Sequence, residues 1–256
     1  MYYCSMTTTT SKKLKQLLTL FDTRKILFSQ ELLRQGFSSD LLQWYRKAGW
    51  IESFARGAYK KTNIDISLED LISAFQNQLD INIHFGGKYC LSKYYGINHF
   101  ISYSEQKANL FLNESKHKIP SWFAEMYKNQ VKLIRSDFVD SNIGLSKGKN
   151  EIIIASPELA FIELLYLVSE ETSVTESKEI LELLPNLRPK TLQALLEDCK
   201  SIKVKRLFFY LSEKVNHSWF KYLKIDNIDL GKGVREIEKH GKFIEKYQIV
   251  VKEEEI

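Results

Sequence analysis

The sequence predicts an α+β protein: a small basic module of three helices and a hairpin, followed by a larger mixed α/β region with a helical part. Three observations carry that expectation. Leucine-rich stripes at helical spacing recur through residues 11–48, an aromatic-lined pair of strand-like segments follows at once, and basic residues crowd the same stretch. Residues 1–61 hold eleven Lys/Arg against four acids (Asp22, Glu31, Asp40, Glu52), a net of +7, while the other 26 basic and 28 acidic residues give −2. A basic balance concentrated in this way is an electrostatic footprint for a polyanion.

The first helix is expected from Ser11 as N-cap, with Leu14, Leu17 and Leu18 on its inner face. Residues 1–10, with the run Thr7 to Thr10, read as a flexible tail, and Met1 and Met6 are both admissible starts. Ser29 caps a second expected helix, with Glu31 in its first turn, Leu32 and Leu33 inward and Gly36 as the stop. A third follows Phe37-Ser38-Ser39-Asp40, carries Leu41, Leu42, Trp44 and Tyr45, and ends at Gly49. Trp50 to Lys61 then reads as two short strands, with Gly57 supplying freedom near the turn.

Three helices, a short turn between the last two and a hairpin behind them give the order of a winged helix-turn-helix, assigned to residues 11–62. In that motif the second helix of the pair lies in the major groove and its N-terminal residues meet base edges. Ser38, Ser39, Gln43, Arg46 and Lys47 occupy those positions here. Ser and Gln can hydrogen-bond base edges, while Arg and Lys can take guanine or phosphate. Arg56 at the hairpin tip is placed to reach a neighbouring groove, and Lys12, Lys13, Arg24, Lys25 and Lys60 complete the expected DNA-binding set.

Residues 63–256 are expected to form one C-terminal α+β domain. Ser67 opens a helix to about Leu79, Ile81 to Phe85 reads as a strand, and Gly86-Gly87 leads a helix from Lys88 to Tyr95. Residues 100–154 look mostly extended, with strands near Leu110, Val131–Ile134 and Glu151–Ile154. Ser156-Pro157-Glu158 is a strong helix start: a hydroxyl cap, a proline at the first helical position and an acid facing the dipole. Helices are expected over 175–184, 189–200 and 202–214, and strands near 227–230, 234–238 and 247–251, before a charged tail at 252–256.

Enzymatic chemistry finds little support. His84, His99, His117, His217 and His240 stand at no metal-ligand spacing, and Cys4, Cys90 and Cys199 form neither a disulfide framework nor a zinc knuckle. No metal or cofactor is therefore expected. There is no apolar run long enough to span a membrane and no export signal in MYYCSMTTTTSKK, so a cytoplasmic setting without membrane partners is expected. Two glycine-rich stretches could bind an anion: Gly86-Gly87-Lys88 at a helix start, although such a pair more often simply permits a sharp turn, and Leu230-Gly231-Lys232-Gly233, which lacks phosphate-loop spacing and reads better as a tight loop between strands. Lys203, Lys205 and Arg206, with Lys200 close by, could form a second phosphate-contacting patch or a solvated helix face. The enzymatic alternative is a winged-helix-guided nuclease, its metal held by acids such as Asp137, Glu151 and Glu158; Glu114-Ser-Lys116 also has a nuclease-like acid–lysine pairing.

Several segments, in order, resemble the AbiEi antitoxins, transcriptional regulators of type IV toxin–antitoxin systems. They are Gly49-Trp50-Ile51 with Arg56-Gly57-Ala58-Tyr59, Gly86-Gly87-Lys88-Tyr89-Cys90-Leu91, Ala155-Ser156-Pro157-Glu158-Leu159-Ala160 with Glu163-Leu164-Leu165, Val204-Lys205-Arg206-Leu207-Phe208, and Asp229-Leu230-Gly231-Lys232-Gly233 with Tyr247-Gln248-Ile249. The resemblance implies a non-enzymatic protein with two roles. Its winged helix would bind inverted repeats in double-stranded DNA upstream of its own operon and repress it. The C-terminal region would counteract a nucleotidyltransferase-like toxin without forming a stable complex with it.

Overall fold

The leucine stripes fold as helices, each burying one side against a common core. The computed structural model describes residues 2–97, 107–113, 118–139 and 143–252, with only the backbone described at 2–10 and 150. In it α1 (Tyr2–Thr23), α2 (Ser29–Arg34) and α3 (Ser39–Lys47) enclose Leu17, Phe21, Leu27, Leu32, Phe37, Leu42, Tyr45 and Ile51. Strands β1 (Ile26–Phe28), β2 (Ile51–Ala55) and β3 (Ala58–Lys61) form an antiparallel sheet of order β1-β3-β2. This is the element order expected of a winged helix, with β1 added.

Local chemistry departs from expectation at three points. Helix α1 already starts at Tyr2, so Ser11 is an interior residue, not a cap. Threonine costs only about 0.5 kcal/mol per helical residue, and a nucleated helix gains one bond for each residue added. Ser29 is the first residue of α2 instead of its cap, because β1 runs straight into that helix; the Ser29 N–H donates to the Gly57 carbonyl at 2.8 Å. Leu33 and Trp44 face solvent, since Leu32 and the pair Leu42 and Tyr45 already fill the inner faces of their short helices. Ser38 does cap α3, its Oγ accepting from Leu41 N.

Helix α4 (Leu68–Gln78) opens with a reciprocal capping box between Ser67 and Asp70. At its other end the buried Gln78 amide acts as a strand partner for β1. Its Nε2 donates to Ile26 O and its Oε1 accepts from Phe28 N, both at 2.9 Å. An edge strand otherwise buried with unpaired groups is thereby satisfied. A short helix, α6 (Ser121–Met126), lies in the stretch expected to be extended; six residues are too few to print a helical stripe. The segment Glu114–Tyr127, which carries it, belongs with Met1–Ile83 and Lys149–Ile152 to one compact unit, unit 1.

Unit 2 comprises His84–Asn113, Lys128–Gly148 and Ile153–Ile256. Its main sheet, of order β6-β5-β4-β8-β7, uses β4 (Ile83–Phe85), β5 (Ala108–Leu112), β6 (Val131–Arg135), β7 (Leu145–Lys147) and β8 (Ile153–Ala155). The sheet is mixed: β5 with β6 and β4 with β8 are parallel, β7 with β8 antiparallel. Helices α5 (Gly87–Tyr95), α7 (Pro157–Tyr166), α8 (Val174–Glu182), α9 (Pro189–Asp198) and α10 (Ile202–Val215) provide the helical part. A small sheet of order β10-β11-β9 uses β9 (Arg235–Glu236), β10 (Lys242–Ile244) and β11 (Ile249–Val251). The strand expected near 227–230 is replaced by a 3-10 turn at Ile225–Asn227, and no helix among the described residues is long and apolar enough to cross a membrane.

Helix α7 is buried on nearly all sides, including Glu158 and Glu163. Ser156 caps it, with Pro157 at its first position, as expected. Glu163 reaches the start of α5, where Oε2 accepts from Gly87 N at 3.1 Å and Oε1 lies 2.6 Å from His84 Nε2. The free N–H groups of a helix start favour an anion, and this carboxylate is the one provided. Gly86 makes the approach possible: a Cβ there would lie 2.0 Å from Glu163 Oε2 and 2.6 Å from Phe111 Cδ2. Gly86→Ala should therefore destabilise the protein by about 2–3 kcal/mol through overpacking. Urea unfolding would show it as a lowered midpoint, and an unchanged midpoint would refute the close approach.

Candidate nucleic-acid interface

Helical geometry decides what α3 shows to solvent. With Leu42 and Tyr45 inside, Ser39, Asp40, Gln43, Trp44, Arg46 and Lys47 project outward, all exposed. Ser39, Gln43 and Arg46 follow one another at three- and four-residue spacing, so they share a face, and Lys47 lies one turn from Gln43. Arg46 and Lys47 form no ion pair or side-chain hydrogen bond among the described residues, and Arg56, exposed at the β2–β3 turn, likewise keeps its guanidinium unpaired there. Lys12 on α1 is exposed as well.

Other members of the expected set are committed inside unit 1. Lys13 Nζ donates to the Gln35 carbonyl at the end of α2 (3.0 Å) and sits 4.7 Å over the Phe37 ring. Lys60 bridges Glu52 at 2.9 Å and donates to the Ile64 carbonyl at 2.7 Å. Lys25 pairs with Asp70 at 2.9 Å, and Arg24 lies 3.9 Å from Glu31. Ser38 is exposed but occupied as the α3 cap. Among the described residues, the structure thus leaves Ser39, Gln43, Arg46 and Lys47 on α3, with Lys12 on α1 and Arg56 on the hairpin, as the uncommitted polar groups from that set. Sequence reading passed over Asp40, Trp44 and Trp50 as surface groups; the two tryptophans are 50% and 44% exposed. The position of Trp44 opposite Leu42 on a helical wheel is the signal that finds it.

The second basic patch turns inward. Lys203 Nζ donates to the Tyr166 and Val168 carbonyls (2.8 and 3.1 Å) that end α7, and burial pulls its ammonium below the ordinary lysine range. Lys205 and Arg206 are buried. The Arg206 guanidinium donates to the carbonyls of Leu230, Gly233 and Gln248, at 2.6, 2.5 and 3.0 Å. Neither a solvated helix face nor a phosphate contact survives this placement, because the 202–214 helix packs on every side near its start. The 230–233 loop is accordingly a tight turn pinned by Arg206. Gly86-Gly87-Lys88 holds the chain's own Glu163, and Lys88 pairs with Glu176.

The acids proposed for a nuclease are engaged separately. Glu158, 2% exposed, accepts from Arg188 N (2.8 Å), Nε (3.0 Å) and Nη2 (2.8 Å) and from Ser156 Oγ (2.7 Å). Asp137 lies 3.6 Å from Lys200. Among the described residues no group of three or more His, Cys, Asp or Glu side chains could hold a metal ion. His99, His117, Glu114 and Lys116 lie outside the described residues. His84 meets Glu163, and His217 Nε2 lies 2.8 Å from the Leu181 carbonyl.

These features define a two-unit α+β protein whose N-terminal unit has the element order of a winged helix. The chain belongs to the AbiEi antitoxin family of transcriptional regulators. Residues 10–103 match the family's N-terminal domain, and residues 105–252 match the transcriptional regulator described as AbiEi antitoxin of type IV toxin–antitoxin systems. The crystal structure of the RV2827C protein from Mycobacterium tuberculosis is similar over 94% of this chain and 90% of that one, with a TM-score of 0.61 at 13% identity. At that identity the likeness speaks for the fold alone. A comparison with curated proteins finds no match.

Burial alone would raise the Glu158 pKa, but hydrogen bonds from the Arg188 side chain, the Arg188 backbone and Ser156 outweigh it and hold the carboxyl below its ordinary 4.5. A depressed folded-state value stabilises the fold above the unfolded pKa, and this stability is lost as pH falls through the folded one. Glu158→Gln should lower stability by about 2 kcal/mol at pH 7 and flatten the acid limb below pH ~4.5. Urea midpoints taken from pH 3 to 7 would measure both effects, and an acid limb identical to wild type would contradict this role.

Proposed function

We propose that this regulator binds double-stranded DNA at inverted repeats upstream of its own operon and represses it. The outer face of α3 would enter the major groove, and Arg56 would reach the flanking backbone. The observation that carries the reading is the cationic end of α3, where Arg46 and Lys47 stay exposed and unpaired among the described residues while Lys13, Lys25 and Lys60 are held internally. Gln43 and Ser39, one turn earlier, are the side chains suited to base edges. The same chain would counteract a nucleotidyltransferase-like toxin through its C-terminal part, in the cytoplasm, with no catalytic centre of its own and no stable complex. The family's place in type IV toxin–antitoxin systems supports that second role.

Arg46→Ala and Lys47→Ala should leave thermal stability within about 0.5 kcal/mol of wild type, as surface changes do. Each should weaken promoter binding and reduce the slope of log affinity against log salt by about 0.9. Mobility shifts over a salt series, with promoter and scrambled DNA, read this out. Equal wild-type affinity for both DNAs would sink sequence-specific repression, and an unchanged slope would remove the two residues from the interface. Expressed from a foreign promoter, a chain carrying both Arg46→Ala and Lys47→Ala should still rescue growth against the co-expressed neighbouring toxin. Loss of rescue would show that the two roles are not separable.

A further inference from the structure

The geometry points to Trp122 as the residue that positions the hairpin tip for DNA, an inference that rests on the proposed function. Trp122 lies on α6, far along the chain from the hairpin yet within the same compact unit. Its indole Nε1 donates to the Arg56 carbonyl at 3.2 Å, at the turn between β2 and β3. Its ring stands edge-on to Phe54 of β2, with centroids 6.0 Å apart, and tilts against Phe75 of α4 at 6.1 Å. Phe75 in turn meets Phe123 at 5.2 Å and Phe28 of β1 at 5.6 Å. The tip is therefore held from two sides: Trp122 takes the Arg56 carbonyl, and the Ser29 N–H takes the neighbouring Gly57 carbonyl at 2.8 Å.

A β-turn tip with small neighbours, here Ala55, Gly57 and Ala58, has few side-chain contacts of its own with which to fix its backbone. An arginine on a mobile tip loses conformational freedom on docking, whereas one on a clamped tip has already lost much of it. Trp122 leaves the Arg56 guanidinium itself unpaired among the described residues and fixes only the backbone that aims it. That arrangement suits a positioning residue for a phosphate contact. It also means that unit 1 is completed by a segment from beyond residue 113, so residues 11–62 by themselves lack the brace.

The test uses the full chain with Trp122→Phe, which keeps an aromatic ring but removes the N–H donor, and Trp122→Ala, which removes both. In the free protein, hydrogen exchange at residues 55–58 should accelerate in Trp122→Phe while amides of α3 are unchanged. Affinity for promoter DNA should fall about three- to tenfold, the worth of one hydrogen bond. Arg56→Ala should then cost much less in the Trp122→Phe background than in wild type, a coupling that a purely structural residue would not show. Faster exchange with unaltered DNA affinity, or additive effects of the two substitutions, would overturn the positioning role. So would unchanged exchange in both variants. Absence of promoter binding by the wild-type chain would instead defeat the proposed function on which this inference rests.

Discussion

Burial of Leu42 and Tyr45 in the small core of unit 1 decides which side of α3 meets solvent. Successive helical residues turn by about 100°, so two inward residues three apart leave the opposite arc outside. Gln43 and Lys47 fall on that outer arc, and Ser39 and Arg46, which flank the buried pair, are exposed beside them. The rest of unit 1 keeps this arrangement fixed. Ser38 caps the helix, Gln78 satisfies the edge of β1, and Ser29 and Trp122 hold the hairpin beside it.

Partnership sorts the charges of this chain better than their number does. Buried charges in unit 2 are answered by specific groups: Glu163 by an amide of the α5 start, Glu158 by Arg188, and Arg206 by three carbonyls. A buried charge without such partners would cost several kcal/mol. In unit 1 a similar commitment removes Lys13, Lys25 and Lys60 from the pool of free cations. Arg46, Lys47 and Arg56 stay exposed, as do Lys12 and Lys15 on α1, and because no fold-stabilising pair among the described residues explains them, a partner of opposite charge is the economical reading.

Much of this was legible in the sequence. Hydroxyl caps at Ser38, Ser67 and Ser156 announced three helices correctly, because a cap, an acid in the first turn and a stripe are local signals that agree with one another. Signals that depend on tertiary context were not legible. Ser11 looks like a cap but lies mid-helix, and a single apolar letter such as Leu33 or Trp44 does not say which side its helix buries. The glycine-led start at Gly86 left an anion site and a simple sharp turn both open, and only the fold reveals that Glu163, far away in sequence, meets its free N–H. Lys203, Lys205 and Arg206 read as basic surface because spacing cannot show which backbone carbonyls wait nearby. Helix α6 was invisible for a simpler reason: it is too short to carry a period.

The central claim is that α3 and the hairpin tip of unit 1 face DNA. Photo-crosslinking of the full-length chain to promoter DNA carrying reactive bases, followed by peptide mapping, tests it most directly. Crosslinks concentrated in residues 39–47, with a second group at the 55–57 turn, are the predicted result. Crosslinks confined to unit 2, or spread evenly over both units, would contradict the account.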